Sequence, residues 1–368
     1  MNPIIEIESL KVNNQELKRP LFINGPCSAE TEEQVMATAQ ELAAMGTKVF
    51  RAGIWKPRTR PGSFEGVGTK GLPWMKRVKA ETGMLIGTEV ATAVHVYEAL
   101  KYGMDMLWIG ARTTANPFAV QEIAEALSGV DIPILVKNPV NPDLDLWIGA
   151  IERINRAGVK KIAAIHRGFS SYNKAKYRNE PNWEIPIDLK RRMPEIQMIA
   201  DPSHISGKRN LILEVSQQAM DLNFDGLMIE SHIDPDNAWS DASQQLTPAA
   251  LKKVFDKLVI RNTNNNPKIN YDLEDLRAEI DQLDISMLDI LGKRMQVSKN
   301  IGKYKSENDV TIFQPGRYTE IMEKRVKQAE ISGLSREFGE KIFKSIHEES
   351  VKHQELIMNK SKQLKNIK

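Results

Sequence analysis

Between Pro20 and Glu230 the chain alternates short apolar runs with longer stretches of helix-like spacing. The runs are LFIN (21–24), KVFRAG (48–53), MLIGTEV (84–90), MLWIGAR (106–112), PILVKN (133–138), KIAAIHR (161–167), QMIADPSH (197–204) and GLMIESH (226–232). Continuous apolar runs of this kind read as parallel strands buried on both faces, and parallel strands need helical crossovers between them. Gly46, Gly83, Gly103, Gly129 and Gly158 close the intervening stretches as helix C-caps do. Eight strand–helix repeats in about 250 residues are the size of a closed barrel, so the pattern predicts an α/β fold, a (β/α)8 TIM barrel. A doubly wound open sheet is the alternative.

After Leu258 the character changes. Residues 259–270 (VIRNTNNNPKIN) are polar and Asn-rich, with Pro267 as a breaker, and read as a linker. From Tyr271 to Lys305 one long helical pattern places Leu273, Leu276, Ile280, Leu283, Met287, Ile290, Val297, Ile301 and Tyr304 on a stripe with steps of three and four. A helix of that length spans roughly 50 Å, too long for a small monomeric unit to cover, so it calls for partner helices. Two more helical stretches follow at about 315–331 and 335–361. The predicted division is a barrel at 1–258, a linker at 259–270 and a small all-α unit of three helices at 271–368.

With 368 residues the chain has room for both units, and 41% apolar content supports a sizeable core. A net charge of +3 gives no nucleic-acid footprint, so any cationic site must come from local clustering. A single cysteine excludes an internal disulfide framework and fits a reducing cytoplasm. The N-terminus lacks a basic start with an apolar core, and no run of roughly 18 apolar residues occurs, so no membrane partner is expected.

Barrel active sites lie at the C-terminal ends of the strands. Here the strands exit into Cys27; Arg51 and then Lys56, Arg58, Thr59 and Arg60; Glu89; Arg112; Lys137; His166 and Arg167; Asp201 and His204; and Glu230, with Asp241 following. Any one of these could be an ordinary rim residue. Arg51, Lys56, Arg58, Arg60, Arg112, Lys137 and Arg167 form a cationic set that only anions would hold together, and guanidinium forks match phosphate and carboxylate. Cys27, His204, Glu230 and Asp241 make a mixed-softness set suited to a divalent metal. The plain alternative for Cys27 is a small buried hydrophobe in a barrel that needs no metal.

The strings GPCS (25–28), FRAGIWKPRTRPGSFEG (50–66), GTEV (87–90), IGAR (109–112), VKNP (136–139), HRGF (166–169), DPSH (201–204) and GLMIESH (226–232) resemble 3-deoxy-D-arabino-heptulosonate 7-phosphate (DAHP) synthase, β subtype of class I. The resemblance covers about residues 15–258. It implies condensation of phosphoenolpyruvate with erythrose 4-phosphate around a divalent metal held by Cys27, His204, Glu230 and Asp241. Manganese is the first expectation, with iron, cobalt or zinc compatible. It also implies that Arg51, Arg112, Lys137 and Arg167 clamp phosphoenolpyruvate, that Arg58 and Thr59 grip the erythrose phosphate, and that Lys56 lies between the two substrates. Glu89 falls near where the family handles the attacking water. The sister synthase that uses arabinose 5-phosphate is the nearest rival, but it carries an Asn-containing motif where this chain has KPRT (56–59). Many relatives carry an N-terminal regulatory domain, whereas this chain reaches its first strand by about residue 21, so feedback sensing is expected elsewhere.

In the helical unit, continuing the steps from Leu273 puts Arg294 on the apolar stripe, where a lone buried guanidinium would be costly. Solvated flank charges with a snorkelling Arg are the plain alternative. LEDLRAEIDQLDISMLDILGKRMQVSKNIGKYK (273–305), Gln314–Arg317 and EESVKHQ (348–354) resemble an all-α chorismate mutase. That resemblance implies an intertwined homodimer, or a higher oligomer, that rearranges chorismate to prephenate. Arg277, Arg294, Lys305, Arg317, Ser350 and Gln354 would contact substrate, with Arg277 reaching the partner's site. Tyr318 stands where several relatives have Glu, which keeps open a non-catalytic dimerisation and ligand-sensing module. Feedback by prephenate acting through this unit on the barrel is the expected reason for the fusion.

Overall fold

The computed structural model describes residues 5–57, 62–172, 176–261 and 267–365. Its chain divides into two units, Met1–Thr263 and Asn264–Lys368.

Among the described residues of the first unit a two-stranded hairpin, β1 (Lys11–Val12) and β2 (Gln15–Glu16), precedes eight parallel strands. These are β3 (Leu21–Gly25), β4 (Val49–Arg51), β5 (Leu85–Val90), β6 (Met106–Ile109), β7 (Ile134–Lys137), β8 (Ile162–His166), β9 (Gln197–Ala200) and β10 (Gly226–Glu230). Each pairs with the next in sequence, and β10 also pairs with β3, with Gly226 opposite Leu21. That closure is the expected barrel and removes the open-sheet alternative. Every run read from the sequence supplies one strand.

Two apolar layers sort by strand alternation. Phe50, Ile86, Leu107, Val136, Ala164 and Ile229 face the surrounding helices. Val49, Met106, Trp108, Leu135, Ile165 and Met228 fill the barrel interior, with Leu10, Val12 and Leu17 of the hairpin segment packed into the same interior cluster. The hairpin escaped sequence reading because two-residue strands leave no periodic trace. Helices follow the capping rules: Thr31 accepts from the Gln34 N–H and caps Glu32–Ala44, whose first turn carries Glu32 and Glu33. That helix turns Val35, Ala39 and Leu42 inward at steps of four and three.

Among the described residues the second unit is three helices, Pro267–Glu307, Pro315–Ile331 and Arg336–Lys365, with the last packed against both others. The long helix begins earlier than the pattern predicted. Pro267, read as a breaker, is its first residue, where a missing N–H costs nothing. Its apolar stripe is open to solvent in one chain: Leu276, Ile280, Leu283 and Ile290 are each more than half exposed. Among the described residues no helix is long and apolar enough to cross a membrane.

Candidate active sites of the two units

Alternation decides which charges reach the barrel mouth. Arg51 lies two positions beyond inward Val49, Lys137 two beyond Leu135, Glu230 two beyond Met228, and Glu89 four beyond Leu85. Beneath them sits Trp108, fully buried, whose indole N–H donates to Glu89 Oε2 at 2.9 Å. The Arg51 guanidinium lies 4.9 Å from the centroid of the same ring. Gly110 borders the other carboxylate oxygen so closely that a Cβ would fall 2.3 Å from Glu89 Oε1.

Cys27, Glu230 and Asp241 bring ligand atoms within 4.8 Å of one another. Cys27 is set by the loop after β3, where its N–H donates to Gln245 Oε1 at 2.8 Å. Its thiol donates to Asp241 Oδ2 at 3.2 Å and accepts from Lys56 Nζ at 2.9 Å. Burial first, then the Glu230 charge, pushes that thiol up to about 12. Glu230 is fully buried; Arg51 donates to its Oε1 at 3.3 Å and Gln244 to its Oε2 at 2.7 Å. Burial alone would raise its carboxyl, but His204, Arg51 and Lys56 hold it below its ordinary value. Asp241 shows the same balance, with His204 and Arg178 outweighing burial.

His204 borders this cluster rather than joining it. It rides on the short helix Pro202–Ser206, capped by Asp201, whose Oδ1 accepts the His204 N–H at 3.1 Å. The ring's Nδ1 lies 2.8 Å from Asp201 Oδ2, and its Nε2 lies 3.8 Å from Glu230 Oε1. The set whose donor atoms all lie within 4.8 Å of one another comprises Cys27, Glu230 and Asp241, without His204. Lys137 donates to the same Asp201 oxygen at 2.8 Å and anchors this carboxylate. A carboxylate behind one ring nitrogen while the other faces a donor cluster is the usual setting of a metal-binding histidine. A thiol, two carboxylates held ionised and an adjacent imidazole fit a divalent metal.

The cations converge on the same mouth. Arg167 is buried and donates to Asn179 Oδ1 at 2.8 Å, while its backbone N–H donates to Asn138 Oδ1 at 2.7 Å. Burial, with Arg178 and Arg112 nearby, brings Arg167 down to about 10. Arg112 is exposed at the rim. Arg58, Thr59 and Arg60 lie outside the described residues.

One expectation is corrected. His166, counted among the strand-end groups, points away from the mouth into the helix layer, among the rings of Trp147, Phe169, Trp183 and Phe224. It shares the parity of Ile162 and Ala164, which face the helices. Three residues also escaped assignment: Trp108; Asp201, visible as a strand end but given no role; and Arg178, which donates to Asp241 Oδ1 at 2.9 Å and Gln244 Oε1 at 2.7 Å from a loop without periodic signal.

In the helical unit Arg294, Lys305, Arg317, Ser350 and Gln354 line one cavity of about 420 Å³. Arg294 donates to Ser350 Oγ at 2.5 Å, Lys305 to the Ile312 carbonyl at 2.5 Å, and Gln354 Nε2 to Ser298 Oγ at 3.3 Å. Burial, and then Arg325, lowers Arg294; burial alone lowers Lys305. Arg277 does not join them in this chain; it is exposed and donates to Glu274 at 2.5 Å.

Comparison with known proteins finds a family match for each unit. Residues 4–264 match the DAHP synthetase I family, and residues 276–355 match chorismate mutase type II. A phospho-2-dehydro-3-deoxyheptonate aldolase of Thermotoga maritima is 30% identical over 255 residues, covering 69% of this chain and 72% of its own. A 2-dehydro-3-deoxyphosphooctonate aldolase of Legionella pneumophila (strain Lens) is 26% identical, covering 66% of this chain and 92% of its own. The crystal structure of the Thermotoga maritima DAHP synthase superposes with a TM-score of 0.63 at 27% identity, over 70% of this chain and 75% of that one. A truncated form of the Thermotoga maritima synthase gives 0.60 at 26% identity, over 68% and 90%. Both matched families are enzymes, and the chain belongs to the DAHP synthetase I family, with a chorismate mutase type II segment following its barrel.

Proposed function

We propose that the barrel condenses phosphoenolpyruvate with erythrose 4-phosphate to DAHP and phosphate in a metal-dependent reaction, and that the helical unit converts chorismate to prephenate. The observation that carries the first half is the convergence of Cys27, Glu230 and Asp241 beside Arg51 and Lys56. Cys27, Glu230, Asp241 and His204 would hold the metal, which would supply Lewis-acid polarisation of the aldehyde oxygen when bound. Manganese, iron, cobalt and zinc all suit this donor set.

The chain's own groups do the rest. Arg51, Lys137, Arg167 and Arg112 bind the phosphate and carboxylate of phosphoenolpyruvate, and Arg58 with Thr59 takes the erythrose phosphate. Lys56 lies where the two substrates meet, so its ammonium can neutralise charge as the new carbon–carbon bond forms from C3 of phosphoenolpyruvate. Glu89, held from below by Trp108, orients the water that adds at C2. Phosphate then leaves with C–O cleavage. Holding two polyanions in reacting geometry supplies several kcal/mol of the barrier. With heavy oxygen at the bridging position of phosphoenolpyruvate, the label is expected in the released phosphate; its retention in the sugar product contradicts this route.

In the helical unit Arg294 and Arg317 fix the two carboxylates of chorismate, and Lys305 with Gln354 stabilises charge on the breaking ether. Arg277 serves the partner chain's site, a reading supported by its exposure and by the open stripe on the same helix. We assign 1–258 to the synthase, 259–270 to a linker and 271–368 to the mutase, acting as a homodimer or larger homo-oligomer in the cytoplasm. Prephenate bound in the mutase cavity restrains the barrel. A mutase unit that only senses ligand is the second reading, favoured by Tyr318 in the cavity. Chorismate consumption by the full chain decides between them.

A further inference from the structure

Two residues that line the mutase cavity keep a buried polar atom without a partner among the described residues, Gln354 Oε1 and His347 Nε2, and only His347 stands outside the substrate clamp proposed above. His347 lines the cavity with Arg294, Lys305, Arg317, Tyr318 and Gln354. Its Nε2 is buried and has no hydrogen-bond partner. A buried ring nitrogen left unpaired is costly, so one carried by a residue that lines a ligand cavity calls for a partner from the ligand.

The surroundings say what that partner is. Arg294, Lys305 and Arg317 can only donate, and they suit the anionic groups of the ligand. The Ser350 hydroxyl is already used, accepting from Arg294 and donating to the Ile346 carbonyl at 2.8 Å. His347 is flanked by two aromatic rings. The Tyr318 ring is 4.6 Å from it and Phe313 6.1 Å, with Tyr318 and Phe313 themselves 6.0 Å apart. Packed rings on this side favour an uncharged polar contact over a second anion.

Resting on the mutase reading above, we infer that His347 Nε2 makes the hydrogen bond to the secondary alcohol on the ring of chorismate and of prephenate. Tyr318 then serves chiefly to orient the imidazole by packing, rather than taking the alcohol alone. Burial first, then the charge of Arg294 and, less, that of Lys305, lowers the imidazole, against an upward pull from Glu348. His347 is thereby kept neutral, able to hydrogen-bond an alcohol without adding charge to an already cationic cavity.

The test compares chorismate with its analogue lacking the ring hydroxyl, in full-length wild-type, His347→Leu, His347→Phe and His347→Gln chains. The readout is the ratio of kcat/KM for the two compounds, which does not depend on the fraction of protein that folds. The ratio is expected to fall about tenfold in the Leu and Phe variants, the scale of one lost hydrogen bond, and to be largely kept by Gln. An unchanged ratio in both apolar variants overturns the contact and leaves His347 a packing residue. If wild type leaves chorismate intact, the mutase reading fails. The same ratio is then taken from calorimetric affinities for prephenate and its deoxy analogue, where equal affinity ratios in wild type and variants overturn the contact.

Discussion

Trp108 donates its indole N–H to Glu89 across 2.9 Å while the guanidinium of Arg51 lies over the face of the same ring. One buried side chain at the barrel floor thus fixes a carboxylate by its edge and a cation by its face, and keeps the two apart. Arg51 is left to meet Glu230 and the Cys27 carbonyl, and among the described residues no ion pair ties Glu89 down.

Trp108→Phe therefore separates two roles. The ring face under Arg51 survives, and the hydrogen bond to Glu89 is lost. Synthase kcat is expected to fall about tenfold, while KM for phosphoenolpyruvate stays within about twofold, because only the water-orienting group is loosened. Steady-state kinetics with both substrates checks this. A variant whose KM rises and whose kcat is unchanged would show that Trp108 serves the anion clamp instead.

His166 makes the barrel sensitive to acid. Buried among four aromatic rings, it is pushed down to about 3 from an ordinary value of 6.5, with burial as the chief cause. The unfolded chain takes up a proton that the folded chain refuses, so this group's stabilisation is complete above pH 6.5 and is lost as pH falls from there toward 3. Between pH 7 and 5 the loss is about 2 kcal/mol. His95 and His204, also lowered by burial, act in the same window. The expected result is a difference: denaturation of His166→Phe should show a shallower fall in stability over that range than wild type. Parallel curves would mean that the folded His166 titrates normally.

The mutase cavity carries a regulatory prediction. Arg294 sits on the apolar stripe of the long helix and donates to Ser350 at the cavity wall. Arg294→Ala is expected to lower mutase kcat/KM by about 100- to 1,000-fold, as when one preorganised donor is removed. If prephenate acts through this cavity, the same variant loses prephenate inhibition of DAHP formation while its uninhibited synthase rate is unchanged. Retained inhibition alongside a lost mutase would place the sensing site elsewhere.

The architecture was legible because eight continuous apolar runs were separated by glycine-capped helical stretches, the count of a (β/α)8 barrel, and the pairing of β10 with β3 then removes the open sheet. The same continuity hid the orientation of individual strand ends. In a strand buried on both faces, apolar residues occupy both parities, so the run KIAAIHR does not say whether His166 faces the mouth or the helices. Parity becomes visible only when Ala163 and Ile165 are seen inside the barrel. Trp108 was overlooked for the same reason, as one more apolar letter in MLWIGAR. The cavity of the helical unit was legible through Arg294, whose place on an apolar stripe demanded a partner, which the structure supplies in Ser350. His347 gave no such sign, because its role depends on a cavity built by two other helices.

The central claim is that Cys27, His204, Glu230 and Asp241 bind the divalent metal on which condensation depends. The most direct measurement strips the protein with a chelator and titrates it with cobalt(II), following the cobalt–thiolate absorption band and DAHP formation together. The account predicts no condensation in the stripped protein, a band and an activity that rise together to one metal per chain, and loss of the band in Cys27→Ser. Full condensation after exhaustive chelation, with no thiolate band on adding cobalt, would contradict it.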